Sequence, residues 1–287
     1  MIAWFYWDPP RDIFTVPLIN RPIAWYGFFF VLGFAIGYYL TYQIFKKKLE
    51  PDYPPQEAAD LSLKLADRVT WFVMAGTVIG ARLGHVFFYE WPRYQQHPWD
   101  IIKIWEGGLA SHGGAIGILL SLVLFLKFTK HLYSRLNFIS LIDILAIPTA
   151  LTCSFIRVGN FFNQEILGPP TMVPWAVVFG HPIDGSTPVP RHPTQLYEAI
   201  AYFAVFVFLY FLWRKEGNAL RQGILGGLFF ILTCTARFLI EFIKSPFQSH
   251  MIDESFLQTG QFLSLPLILF GFVLFFWNKS PVKLTKS

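Results

Sequence analysis

Apolar residues along this chain come in long blocks separated by shorter polar ones. The apolar runs occupy residues 23–45, 69–89, 111–128, 138–156, 196–213, 223–243 and 260–277. Each is near the roughly 20 helical residues needed to cross the hydrocarbon of a bilayer. The pattern predicts an all-α polytopic membrane protein with about seven transmembrane helices. No linker or repeat divides it, so residues 1–287 read as a single integral membrane domain. The longest polar interruption, 159–195, is rich in helix-breaking proline and glycine and reads as a small extracytoplasmic insertion between helices four and five. The stretch KKKLEPDYPPQEAAD, 46–60, reads as a charged cytoplasmic connector facing lipid headgroups.

Composition agrees with this class: 54% of the 287 residues are hydrophobic, 19% aromatic and only 14% charged. The first residues, MIAWFYWDPPRDIF, lack the basic start and cleavage site of a removable signal peptide. Cys153 and Cys234 fall inside apolar runs and read as small buried hydrophobes. The net charge of +5 changes the picture mainly by setting orientation. Lys46, Lys47, Lys48, Lys64 and Arg68, then Lys127, Lys130 and Arg135, then Arg214, Lys215 and Arg221, then Lys279, Lys283 and Lys286 fill alternate loops. By the positive-inside rule those loops are cytoplasmic, so the N-terminus is outside and the C-terminus inside. The same rule accounts for the basic excess, and nucleic-acid binding is unsupported.

That orientation assigns the unusual polar groups to one leaflet. Tyr26, Arg82, His112, Arg157, Arg237 and Glu241 all fall in outer halves or outer ends of spans. An arginine at mid-membrane costs about 2.5–3.5 kcal/mol on insertion scales and is kept only with a partner or a task. Arg237 has Glu241 one turn away on the same face, which reads as an ion pair. Arg82, Arg157 and Arg191 exceed what that carboxylate balances, so an anion is expected to join them. Arginine suits phosphate because its planar fork donates paired, charge-assisted hydrogen bonds. His112, followed by two glycines at a helix start, adds approachable backbone amides and a proton-exchanging ring. In RVGNFFNQEILG, residues 157–168, Gly159 and Asn160 read as a helix cap. Asn163 and Glu165 are then left over to face a substrate.

P-loop, nucleophile-elbow and zinc motifs are missing. A transporter for an anionic solute remains an alternative, since intramembrane arginine and histidine also mark ion pathways. The lack of polar groups in the inner halves, Asp143 apart, argues against it. An intramembrane protease is a third reading, with Ser111 beside His112 as its only candidate.

The blocks AWYG at 24–27, GARLGHVFFYE at 80–90, WEGGLASHGGAIG at 105–117, RVGNFFNQEILG at 157–168, RHPTQLYEA at 191–199, RFLIEF at 237–242 and GQFLSLP at 260–266 together resemble the prolipoprotein diacylglyceryl transferases. The resemblance runs almost end to end and follows the family's order. Two positions depart from the pattern: Ala115 replaces a larger aliphatic residue, and Pro169 stands where many members have arginine.

The resemblance implies an enzyme of the bacterial plasma membrane that moves the diacylglyceryl group of phosphatidylglycerol to the lipobox cysteine of a prolipoprotein signal peptide. It implies His112, Arg157 and Arg237 as catalytic residues. Tyr26, Asn160, Asn163, Glu165, Gly168, Arg191 and Glu241 would join Arg157 in binding phosphatidylglycerol, with Glu241 orienting Arg237. No metal, nucleotide or redox cofactor is implied.

Overall fold

A computed structural model of the chain describes residues 4–17, 21–104, 107–244 and 257–276. Eight α-helices are formed among them: α1 Trp25–Leu49, α2 Pro55–Phe88, α3 Trp91–Gln96, α4 Ser111–Thr129, α5 Phe138–Phe162, α6 Thr194–Glu216, α7 Ile224–Glu241 and α8 Thr259–Phe275. Six of these are long and apolar enough to cross a membrane: α1, α2, α4, α5, α6 and α7. The apolar α8 is shorter. These seven helices coincide with the seven apolar runs of the sequence.

Short strands supplement them: β1 Phe5–Trp7, β2 Asp12–Val16, β3 Arg21–Ala24, β4 Val177–Phe179 and β5 Pro190–Arg191. β2 and β3 pair as an antiparallel hairpin, whereas β1 lies parallel to β4, which pairs antiparallel with β5. Expectation and structure differ at the connector 46–60. α1 carries Lys46, Lys47 and Lys48 in its last turn, and α2 begins at Pro55, leaving only 50–54 between them. Lysines favour a helix C-terminus through its partial negative charge, and proline suits the first helical turn, so the charged stretch continues both helices.

The chain forms two compact units: Met1–Leu40 with Ile142–Ser287, and Thr41–Leu141. In the second unit, α2 and α4 meet along glycines. A methyl group added at Gly84 would lie 2.7 Å from Gly113 Cα, and one at Gly80 2.7 Å from Gly117 Cα, so the two backbones touch. Small residues allow membrane helices this approach, and dispersion between backbones replaces the hydrophobic drive that lipid cannot supply.

The first unit uses the same device twice. Gly227 of α7 abuts Gly271 and Phe275 of α8, and Gly33 and Gly37 of α1 abut Thr152 and Pro148 of α5. Pro148 sits inside α5, where a proline removes one backbone donor. Thr152 Oγ1 bonds both Pro148 O and Gly33 O there, tying the two helices together.

Candidate functional site

The RVGNFFNQEILG stretch opens on the last turns of α5. Arg157 and Asn160, three residues apart, share one helix face, and Arg157 Nη1 donates to Asn160 Oδ1 at 3.2 Å. Asn160 Nδ2 in turn donates to Glu165 Oε1 at 2.7 Å, and Asn163 Nδ2 reaches the same oxygen at 3.1 Å.

The chain turns sharply to bring Glu165 back. Its neighbours Gln164 and Ile166 both adopt left-handed φ values, 52° and 60°, each a strain on the order of 1 kcal/mol for a side-chain-bearing residue. The first turn of α6 clamps this turn. Gln195 Nε2 donates to Glu165 O and Thr194 Oγ1 to Ile166 O, both at 2.6 Å, and both side chains are fully buried.

Asn160 does not cap a helix as expected, and neither does Gly159, because α5 runs on to Phe162. The missing side chain of Gly159 makes room for Tyr26 instead. A methyl group there would lie 2.9 Å from the Tyr26 ring. The tyrosine thereby lies within electrostatic reach of Arg157 and Glu165.

On its other side, Arg157 meets a partner that the sequence reading passed over. Arg157 Nε lies 2.9 Å from Glu198 Oε2, and the Glu198 side chain is wholly buried on α6. The second Glu198 oxygen accepts from Lys244 Nζ at 3.1 Å and from Tyr202 OH at 3.3 Å. Lys244 also donates to Glu241 Oε2 at 2.8 Å. This corrects the expected Arg237–Glu241 pair: Glu241 turns to Lys244, three residues past the end of α7. Its carboxylate also lies against Gly260 at the start of α8, where a side chain would collide with it. The positive end of a helix favours such a carboxylate.

Arg237 is half-buried and has no carboxylate partner among the described residues. Arg157 and Arg237 both lie within electrostatic reach of Cys153 and Tyr202, so the two guanidinium groups serve one neighbourhood. Glu198 and Lys244 were detectable as charges in or beside apolar runs, the feature that singled out Arg237. Glu198 lies inside the quoted block RHPTQLYEA.

Gly168 and Arg191 shape the segment after α5. Gly168 N–H donates to His192 O, and a methyl group on it would press on His192. Arg191 is buried in β5 and donates to Gly168 O at 3.4 Å. Neighbouring His192, outside the helices, titrates below its ordinary range because burial disfavours the imidazolium.

His112 and Arg82 belong to the other unit. His112 stands in the first turn of α4 with its ring 5.5 Å from Phe88 and 5.7 Å from Tyr89. Arg82 departs from the expectation that it joins an anion. Its donors go to main-chain carbonyls: Ile101 at 2.8 Å, Gly107 at 2.6 Å, Gly108 at 3.2 Å, and Asp100. Gly107 and Gly108 present those carbonyls from left-handed conformations, φ 91° and 72°.

A bundle of apolar helices holding an ionic cluster at the end of one of them defines a polytopic membrane protein with a polar site buried beside hydrocarbon. Residues 13–277 match the model of the family described as prolipoprotein diacylglyceryl transferase, and the chain belongs to that family. Three relatives bear the name phosphatidylglycerol-prolipoprotein diacylglyceryl transferase. The protein of Tolumonas auensis is 46% identical, covering 94% of this chain and 95% of its own. Those of Protochlamydia amoebophila and Chloroherpeton thalassium are each 38% identical, covering 97% and 99% of this chain and 96% and 98% of their own.

Proposed function

We propose that this chain transfers the diacylglyceryl group of phosphatidylglycerol to the lipobox cysteine of prolipoproteins, the first step of lipoprotein maturation, in the bacterial plasma membrane. The N-terminus and the 163–193 segment would face outward and the C-terminus the cytoplasm. In the reaction the cysteine sulfur attacks the glycerol carbon that bears the phosphate ester. The C–S bond forms as the C–O bond breaks, and the electron pair leaves on oxygen as glycerol phosphate. A base takes the thiol proton.

The observation that carries this reading is the contrast between the two arginines of the first unit. Arg157 is held by Glu198 and Asn160, whereas Arg237 lies within electrostatic reach of the same Tyr202 with no carboxylate partner among the described residues. A thiolate attacking a phosphodiester brings two negative charges together, and the departing phosphate gains a second charge of its own. Preorganised guanidinium groups stabilise that change best where water is excluded. Arg237 and Arg157 therefore hold the phosphate. Tyr26, Asn160, Asn163 and Glu165 bind the headgroup or fix Arg157. Glu241 acts through Lys244 and Glu198, and Gly168 and Arg191 shape the wall. His112 is the proposed base, since imidazole exchanges protons near neutral pH.

The test is incubation of the purified protein in detergent with phosphatidylglycerol and a lipobox peptide. A diacylglyceryl mass gain on the peptide, matched by glycerol phosphate release and abolished when serine replaces the cysteine, is the expected result. No gain with active lipid and peptide stocks sinks the proposal. Undiminished turnover of His112→Gln at every pH would move the base elsewhere.

A further inference from the structure

Beside the ionic cluster, within the same unit, lies a separate cavity of about 580 Å³ whose walls include Asp8, Arg11, Phe162, Asn163, Gln164 and His181. Asn163 belongs to both places. Its Nδ2 serves Glu165, while its Oδ1 is buried without a hydrogen-bond partner among the described residues.

The other polar groups are differently engaged. Asp8 accepts from Gln164 Nε2 at 3.1 Å and pairs with His181 Nδ1 at 2.7 Å, and these bonds hold its carboxyl below the ordinary range. The His181 side chain is otherwise 82% exposed. The main chain of Arg11 is fixed by the Trp25 N–H, but its exposed guanidinium has no ion-pair partner among the described residues. An exposed guanidinium and a largely exposed imidazole thus share partly apolar walls with the engaged Asp8 carboxylate and with Asn163.

We infer that this cavity binds a phosphoglycerol group, Arg11 and His181 taking the phosphate. The choice of ligand rests on the transferase reading. Glycerol phosphate released at the cluster carries two charges and does not enter hydrocarbon, so it leaves by a polar route, and Asn163 joins the cluster to this one. A charge-assisted fork suits a phosphate monoester.

Two measurements on the full-length protein in detergent test the assignment: calorimetric titration with sn-glycerol 1-phosphate, and inhibition of transfer by the same compound. Arg11→Ala and His181→Ala are each expected to weaken binding and inhibition about tenfold, as for one lost charge-assisted hydrogen bond. Arg11→Lys should recover part of this. An unchanged KM for phosphatidylglycerol identifies the free product as the ligand; a parallel rise identifies the headgroup of the intact lipid. Both uphold the cavity.

Affinity and inhibition within twofold of wild type in both variants overturn it. So does an effect confined to the KM for peptide, which would give the cavity to the segment following the cysteine. Thermal midpoints check folding, and if Arg11→Ala fails, His181→Ala and Arg11→Lys carry the test. Arg11-dependent binding without any transfer leaves the cavity standing and removes the transferase reading. Transfer without Arg11 dependence does the opposite.

Discussion

Arg82 in one unit and Arg157 in the other are both enclosed on apolar helices, yet their surroundings differ in kind. Arg82 is ringed by neutral main-chain carbonyls and lies 5.2 Å from the Tyr94 ring centroid. Arg157 is met by side chains, Glu198 and Asn160, which continue into Lys244, Glu241 and Glu165. Carbonyl dipoles fixed by the fold satisfy a cation permanently and pin the loop that supplies them. A chain of ionisable and amide side chains spreads a charge and can respond to a second one. The partner, not the arginine, separates a structural role from a chemical one.

Substitutions can break that contrast. The largest effect is expected from Arg237→Ala: turnover falls about 10²- to 10³-fold, the scale of losing a preorganised charge donor. Its thermal midpoint should shift little, because no buried carboxylate is orphaned. Arg157→Ala should lose as much turnover and also stability, on the order of 3 kcal/mol, since it removes a partner from buried Glu198. Equal midpoints for the two variants would remove the distinction.

Arg82→Met should reverse the pattern. Several carbonyls lose charge-assisted donors, so stability drops by roughly 3 kcal/mol while the turnover of folded protein stays within about threefold. A hundredfold loss in well-folded Arg82→Met would return Arg82 to the chemistry. The carboxylate side is sharpened by Glu198→Gln, which keeps the shape and removes the charge. Turnover is expected to fall about tenfold, because Arg157 loses the carboxylate that fixes it while Lys244 keeps Glu241.

The smallest effect concerns pH and the Asp8–His181 pair. Asp8 has a depressed carboxyl, so its contribution is complete above the ordinary carboxylate range and disappears as pH falls through the lower, folded-state value. The exchange protection of residues 5–8, relative to the intrinsic rate at each pH, should therefore fall only at strongly acidic pH in wild type, and already at neutral pH in Asp8→Asn. Equal exchange in the two proteins at neutral pH would count against the pair as the tie.

What the sequence revealed follows the same division. Seven helices were legible because hydrocarbon demands long apolar runs, and Arg157 and Glu165 were legible because polar side chains are costly there. The continuation of α1 and α2 into the charged 46–60 stretch was hidden, because solvated helix carries no apolar signature. Gly159 was misread since a glycine near a helix end resembles a cap, and only the position of Tyr26 shows that it provides clearance. The choice of Lys244 over Arg237 by Glu241 depends on the bend after α7, which spacing along one helix does not encode. The strands β1, β4 and β5 are too short to leave a period.

The parallel pairing of β1 with β4 bears on biosynthesis. Trp4, at the edge of β1, bonds Val173 O, a residue 169 positions later. At ribosomal rates of about 5–20 residues per second, the first strand waits on the order of 10 to 30 s for its mate while five helices emerge. The cavity wall that follows β1 therefore closes late in assembly. A nascent chain arrested before residue 173 would hold its α5 arginine while the N-terminal arm was still unpaired.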